Sequence, residues 1–132
     1  MKNSIVSLIL FFSAIIFIFF ANSELIKLCD QISNDSDRIE RLLDDKKWDE
    51  SYNESVKLLK KLDESNSISS IYISHIELDA IVDQTVRLTV LIKSRDESES
   101  LATLHLIRYN AERIKELQYP SIENILIKKL YL

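Results

Sequence analysis

The chain has 132 residues, 46% of them hydrophobic and 29% charged, which leaves room for one folded domain beside any membrane segment. It contains no glycine, so glycine-rich phosphate loops, dinucleotide-binding fingerprints and nucleophile elbows are excluded. The net charge of −4 argues against nucleic acid as a partner. With one proline and no glycine for turns and bulges, the composition predicts an all-α fold.

The first predicted element is an apolar helix over Ile5 to Ala21. This run has no charged residue, and only Ser7 and Ser13 interrupt its apolar side chains. As a helix it would span about 26 Å, close to the roughly 30 Å of a hydrocarbon core. Because it is hydrophobic on all sides, we predict a transmembrane helix in lipid rather than a buried helix. Residues 1–23 are therefore expected to be a single-pass anchor in the bilayer, and residues 24–132 a helical domain.

A cleaved signal peptide is the alternative for this segment, because the small residues Ala21 and Ser23 occupy the positions that a signal peptidase reads. The apolar run is longer than the roughly 7 to 15 residues of a usual signal core, which favours an uncleaved anchor. Lys2 precedes the run, whereas acidic residues follow it from Glu24 onward. Positive charge favours the cytoplasmic side. We therefore expect a cell-membrane protein whose helical domain lies outside the cytoplasm.

Two helices are predicted directly after the anchor. The first covers about residues 24–44 and contains a polar interruption at residues 33–37, so it either continues the membrane helix or restarts near Asp37. The second covers about residues 47–63, and residues 64–67 are predicted to form a turn. The apolar residues of the second helix recur at helical spacing on one face: Trp48, Tyr52, Val56, Leu59 and Leu62.

Two further helices and a short C-terminal helix complete the prediction. The third helix is expected over residues 68–93, and its apolar side chains cover an arc of roughly 200°. We expect so apolar a helix to lie at the centre of an antiparallel bundle of about four helices. The fourth begins in the polar break after Lys93 and ends near Gln118, and a short helix follows from Ser121. The apolar arc of the third helix consists of Ile71, Leu78, Ile81, Val82, Val86, Leu88 and Val90.

The only cluster whose residue types suit a metal site or a general base is His75, Glu77 and Asp79. On a helix, Asp79 lies about 40° from His75 but about 160° from Glu77, so the three cannot bind one ion. A core histidine that donates a hydrogen bond to Asp79 is the favoured interpretation. His105 is expected about 15 Å from His75. Cys29 is expected to be a small buried side chain. We predict no catalytic residue, no metal and no cofactor.

The order of these features resembles the small bacterial family catalogued as domain of unknown function 4363. The similar features are the N-terminal membrane run, the WDESYNES segment that begins at Trp48, the ISHIELDAIVDQTVRLTVLIKSRDESESLATLHLI segment, and a closing ENIL. Family members usually carry a second tryptophan before the histidine segment, and this chain has only one tryptophan. The resemblance implies a membrane-anchored helical domain and brings no activity, ligand or catalytic residue.

Two classes of function remain open at this point. The first is a membrane-anchored helical interaction or ligand-binding module that is not an enzyme, with a protein partner or self-association in the membrane. The second is a metal-dependent protein or enzyme that uses His75 and Asp79 with a third ligand from another helix. The sequence favours the first class, because no nucleophile and base can be paired and no set of metal ligands converges.

Overall fold

The computed structural model describes residues 1–69 and 75–118, except the side chains of residues 21, 66–69 and 75. These residues form four helices and no strand, so the predicted all-α fold is confirmed. The short helix predicted from Ser121 lies outside the described residues. The helices are α1 (Lys2–Asp44), α2 (Trp48–Ser69), α3 (His75–Lys93) and α4 (Glu97–Gln118).

The helices pack in a closed ring in which each contacts two neighbours. Helix α1 packs against α2 and α4, and α3 packs against the same two helices from the opposite corner. The short connections at residues 45–47 and 94–96 reverse the chain direction, so neighbouring helices are antiparallel. The predicted antiparallel bundle of about four helices is therefore confirmed.

The expectation that the third helix lies at the centre of the bundle is wrong. Helix α3 occupies a corner, and Val86 and Val90 of its predicted apolar arc are 45% and 63% exposed. Because a corner helix has only two neighbours, about half of its circumference faces outward. The arc that α3 buries is narrower than predicted and consists of Leu78, Ile81, Thr85, Leu88, Thr89 and Ile92.

Helix α1 is continuous through the polar interruption at residues 33–37, which decides between the two predicted alternatives. Ser36 Oγ donates to the carbonyl of Ile32 at 2.7 Å. Asp35 is buried and accepts a hydrogen bond from Lys61 Nζ at 2.9 Å. These polar groups are satisfied inside the bundle, so they need no break in the helix. Within the described part of the chain, α1 is the one helix long and apolar enough to cross a membrane, and the side chains of that apolar part face outward.

The predicted turn at residues 64–67 is wrong, because α2 continues to Ser69. The segment contains neither glycine nor proline. Serine and asparagine each disfavour a helix interior by only about 0.5 kcal/mol, so neighbouring helical turns can carry them. The residues between Ser69 and the start of α3 at His75 lie outside the described part of the chain.

Both described turns place a charged residue in the left-handed conformation that glycine usually adopts. Lys46 and Arg95 each have a φ of 59°. After α1, Lys46 N donates to the Leu43 carbonyl at 3.0 Å and Lys47 N donates to the Leu42 carbonyl at 2.9 Å. This pattern is a Schellman motif, and it recurs after α3. A chain without glycine thus closes its helices at a cost of about 1 kcal/mol at each turn.

Candidate functional site

Of the cluster at the start of α3, the structure describes the side chains of Glu77 and Asp79. His75 is the first residue of α3, and its side chain lies outside the described part. Asp79 is exposed, whereas Glu77 is partly buried on the side of α3 that faces α4. Within residues 1–69 and 75–118, no group of three or more His, Cys, Asp or Glu side chains could hold a metal ion.

The two other side chains considered for reactivity, His105 and Cys29, lie within the helical bundle. His105 is exposed, and its Nε2 lies 4.0 Å from Glu40 Oε1 on α1. Cys29 is buried, which confirms the prediction for this residue. Burial, with the nearby carboxylates of Asp30 and Glu112, raises the pKa of the Cys29 thiol to about 11. The thiol is therefore protonated near neutral pH and a poor nucleophile.

Ion pairs cross the contact between α1 and α4. Lys115 Nζ lies 2.6 Å from Asp30 Oδ1. Arg108 Nη2 lies 2.5 Å from Glu40 Oε2, and its Nε lies 3.0 Å from Asp37 Oδ1. Each basic side chain on this seam has an acidic partner on the facing helix. Because opposite charges are paired, the described residues of this contact form no cluster of one charge for a ligand.

Exposed apolar side chains are distributed unequally over the bundle. Beyond the apolar segment of α1, all large hydrophobic side chains that are exposed among the described residues lie on α3 or α4. Single exposed apolar residues are normal, but their restriction to two neighbouring helices is typical of an interaction surface. We call the outward sides of these helices the α3–α4 surface. It carries Ile76, Leu106, Tyr109 and Leu117, whereas Val86 and Val90 share the side of α3 on which Lys93 contacts Tyr52 of α2.

A cleft of about 190 Å³ opens on the α3–α4 surface between the two helices. Ile76 and Ala80 of α3 and Ile114 of α4 contribute its apolar lining. Glu77 and Arg113 stand on opposite walls, one on each helix, and Asn110 completes the lining. A cavity of roughly 150 Å³ holds a benzene-sized group, so this cleft can accept one large apolar side chain of a partner.

A second cleft, of about 270 Å³, lies at the end of the bundle where α1 and α3 stop. Its lining has both charges, with Lys46, Lys47 and Arg95 beside Asp49 and Glu50. Lys46 also forms an ion pair with Glu97 at the start of α4. Mixed and paired charges of this kind are typical of solvated helix ends, so this cleft does not indicate a ligand.

The sequence did not identify the α3–α4 surface. It placed Val86 and Val90 in the core, because the wheel of α3 is apolar over a wide arc. For α4 the predicted inner face of Leu104, Ile107, Ala111 and Ile114 is confirmed as buried. A signal was present nonetheless, since Leu106, Tyr109 and Leu117 fall outside that inner face and are apolar without a core position to fill.

Comparison with known proteins identifies a family and no activity. No curated protein and no solved structure matches this chain. The family described as Domain of unknown function (DUF4363) matches residues 19–125, which include the bundle part of α1 and all of α2, α3 and α4. The match confirms the resemblance seen in the sequence, and the chain belongs to the DUF4363 family.

Proposed function

We propose that this protein is a membrane-anchored interaction module that binds a neighbouring helical protein through the α3–α4 surface and catalyses no reaction. The anchor is the apolar first half of α1, which is uncharged from Ile5 to Ala21 and meets the length of a membrane span. All of its side chains with a described exposure except Ile15 are exposed, as lipid contact requires.

The observation that carries the proposal is the restriction of exposed large apolar side chains to α3 and α4. Helix α2 and the bundle part of α1 expose none in the described residues. Exposure of such side chains to water is unfavourable by about 25 cal/mol per Å² of apolar area, so a partner that covers them gains this free energy. The cleft between Ile76 and Ile114 adds a recess into which a partner side chain can insert.

The continuity of α1 orients this surface towards neighbours in the membrane. Since α1 has no break between the apolar segment and the bundle, the other helices run nearly along the same direction. The α3–α4 surface is then roughly perpendicular to the plane of the bilayer. A partner held in the same membrane meets it sideways at a high effective concentration, so even a modest contact area is sufficient for association.

The alternative of a metal-dependent protein or enzyme at His75 and Asp79 gains no support from the described residues. Asp79 is exposed on α3 and has no facing carboxylate, cysteine or histidine in a metal-binding arrangement within the described part. A metal-dependent function at these residues would need such an arrangement. Binding therefore remains the function that the molecule supports best.

Photo-crosslinking in intact membranes tests the docking surface. A photoreactive amino acid at Leu106, which is 48% exposed on α4, should yield one reproducible adduct of defined mass. The matched control is Asn53, an exposed residue of α2 that lies next to Glu54, the partner of Arg38. Leu117→Ser should weaken the Leu106 adduct, because it removes apolar contact area from the same surface. Equal adducts from Leu106 and Asn53 would contradict the proposal.

A second experiment tests the anchor and its orientation. A reporter fused after Leu132 should be active outside the cytoplasm, because Lys2 precedes the apolar segment and acidic residues follow it. The membrane-bound protein should keep its full mass of 15.4 kDa plus the reporter. A reporter active only in the cytoplasm would indicate the opposite orientation, with the helical domain inside the cell. A shortened chain that begins at Glu24 in the medium would instead identify a cleaved signal peptide.

A further inference from the structure

We infer that the partner of the α3–α4 surface is a second copy of this chain, related to the first by a twofold axis parallel to the bundle. This inference rests on the proposed function and names the partner of the same surface. It is carried by the arrangement of four features on that surface: the cleft, Arg113 on one wall, Glu77 on the other, and leucines on either side along α4.

The anchor restricts how two copies can meet. Every copy inserts into the bilayer in the same sense, so two neighbouring bundles stand side by side with equal residues at equal heights. A closed pair of this kind has its twofold axis along the membrane normal. In such a pair α3 of one copy faces α4 of the other, and each feature must find its complement at its own height.

The charged residues of the cleft can face their complements at the same height in the two copies. Glu77 and Arg113 line the same cleft from opposite helices, so they lie at one height on the bundle. Arg113 is exposed and Glu77 is partly buried, and neither forms an ion pair with another described residue. Rotation about the axis brings Arg113 of each copy in front of Glu77 of the other. The two ion pairs form together, which is the self-complementarity that a twofold interface requires.

The apolar groups meet the same condition. Leu106 and Leu117 lie on α4 about one helical turn to either side of the residues that line the cleft, Asn110 and Arg113. They are 48% and 63% exposed. In the pair, Ile76 and Ala80 on α3 of the other copy, which are also exposed, add apolar area to the same contact. Both walls thus offer apolar contact around the two ion pairs.

Disulfide trapping in native membranes tests the pair directly. Leu106→Cys places a thiol on the α3–α4 surface, and mild oxidation with copper phenanthroline should give a dimer of twice 15.4 kDa. Asn53→Cys on α2 is the control, since it lies at a similar height on the opposite side of the bundle. The native Cys29 is buried and should remain silent in both variants. Equal dimer yields from the two variants would overturn the inference.

Charge reversal tests the specific pairing. Arg113→Glu should lower the dimer yield of the Leu106→Cys protein about tenfold, because two like charges then face each other across each half of the interface. Glu77→Arg should have a similar effect, and the double variant should restore the dimer. Failure of the double variant to restore it, with unchanged helical content by circular dichroism, would exclude this arrangement of the two copies.

The outcome also separates this inference from the proposed function. A Leu106 photo-adduct with twice the chain mass supports both. An adduct of another mass, found together with no disulfide dimer, keeps the interaction module and overturns self-association. No adduct beyond the Asn53 control overturns the two together.

Discussion

Leu78→Asp is expected to lower the free energy of unfolding by about 4 kcal/mol, because it forces a carboxylate into apolar surroundings. Leu78 is 4% exposed and belongs to the cluster that also contains Ile81 and Leu88. No cation pairs with this position in the described core, so the new charge has no compensation. Thermal unfolding of the full chain in detergent micelles, followed by circular dichroism, measures the loss.

Arg87→Asp is the matched control on the same helix. The Arg87 side chain is 58% exposed, and its Nη2 lies 3.1 Å from Glu99 Oε2, whose side chain is 53% exposed. Exposed ion pairs contribute about 0 to 1 kcal/mol, so the loss of this pair and the new repulsion should cost little. If both variants unfolded at the same temperature, the assignment of buried and exposed faces of α3 would be wrong.

Ile107→Ala is expected to lower the free energy of unfolding by about 3 kcal/mol. The Ile107 side chain is fully buried on α4, and its truncation leaves a cavity that the surrounding helices fill only in part. The melting temperature of the full chain in micelles should fall accordingly. The effect should be similar in membranes and in detergent, because the residue contacts the core and not the surroundings.

Leu106→Ala, at the neighbouring position, separates stability from association. Leu106 is exposed, so its truncation should change the free energy of unfolding by less than about 0.5 kcal/mol. It should nevertheless reduce photo-crosslinking from a probe placed at Leu117, since both residues belong to the α3–α4 surface. A large loss of stability in Leu106→Ala would mean that this side chain packs inside the bundle.

The sequence predicted more of the fold than of the candidate site. Periodicity identified the buried side of α4 correctly, because Leu104, Ile107, Ala111 and Ile114 recur at helical spacing on one face. On α3 the same method failed, since Val86 and Val90 are as apolar as the true core residues. A helical wheel shows which residues share a side, but it carries no information on how many neighbouring helices are present to cover that side.

The sequence by itself determined the elements that depend on local chemistry. An uncharged apolar run from Ile5 to Ala21, the lack of glycine, and the helical repeats of the later segments are sufficient for an apolar helix followed by an all-α bundle. Family membership also follows from the order of these segments. Such features depend on residues that are near in sequence, so they can be predicted from the sequence pattern alone.

Only the tertiary structure decided the features that depend on distant residues. The polar stretch at residues 33–37 remains helical because Lys61 on α2 and Glu112 on α4 bond to Asp35 and Ser33. The exposure of Val86, Leu106 and Tyr109 follows from the ring arrangement, in which α3 and α4 each contact two helices and turn their remaining surface outward. A side chain's burial is set by the helices around it, and their positions are fixed by contacts between residues far apart in the chain.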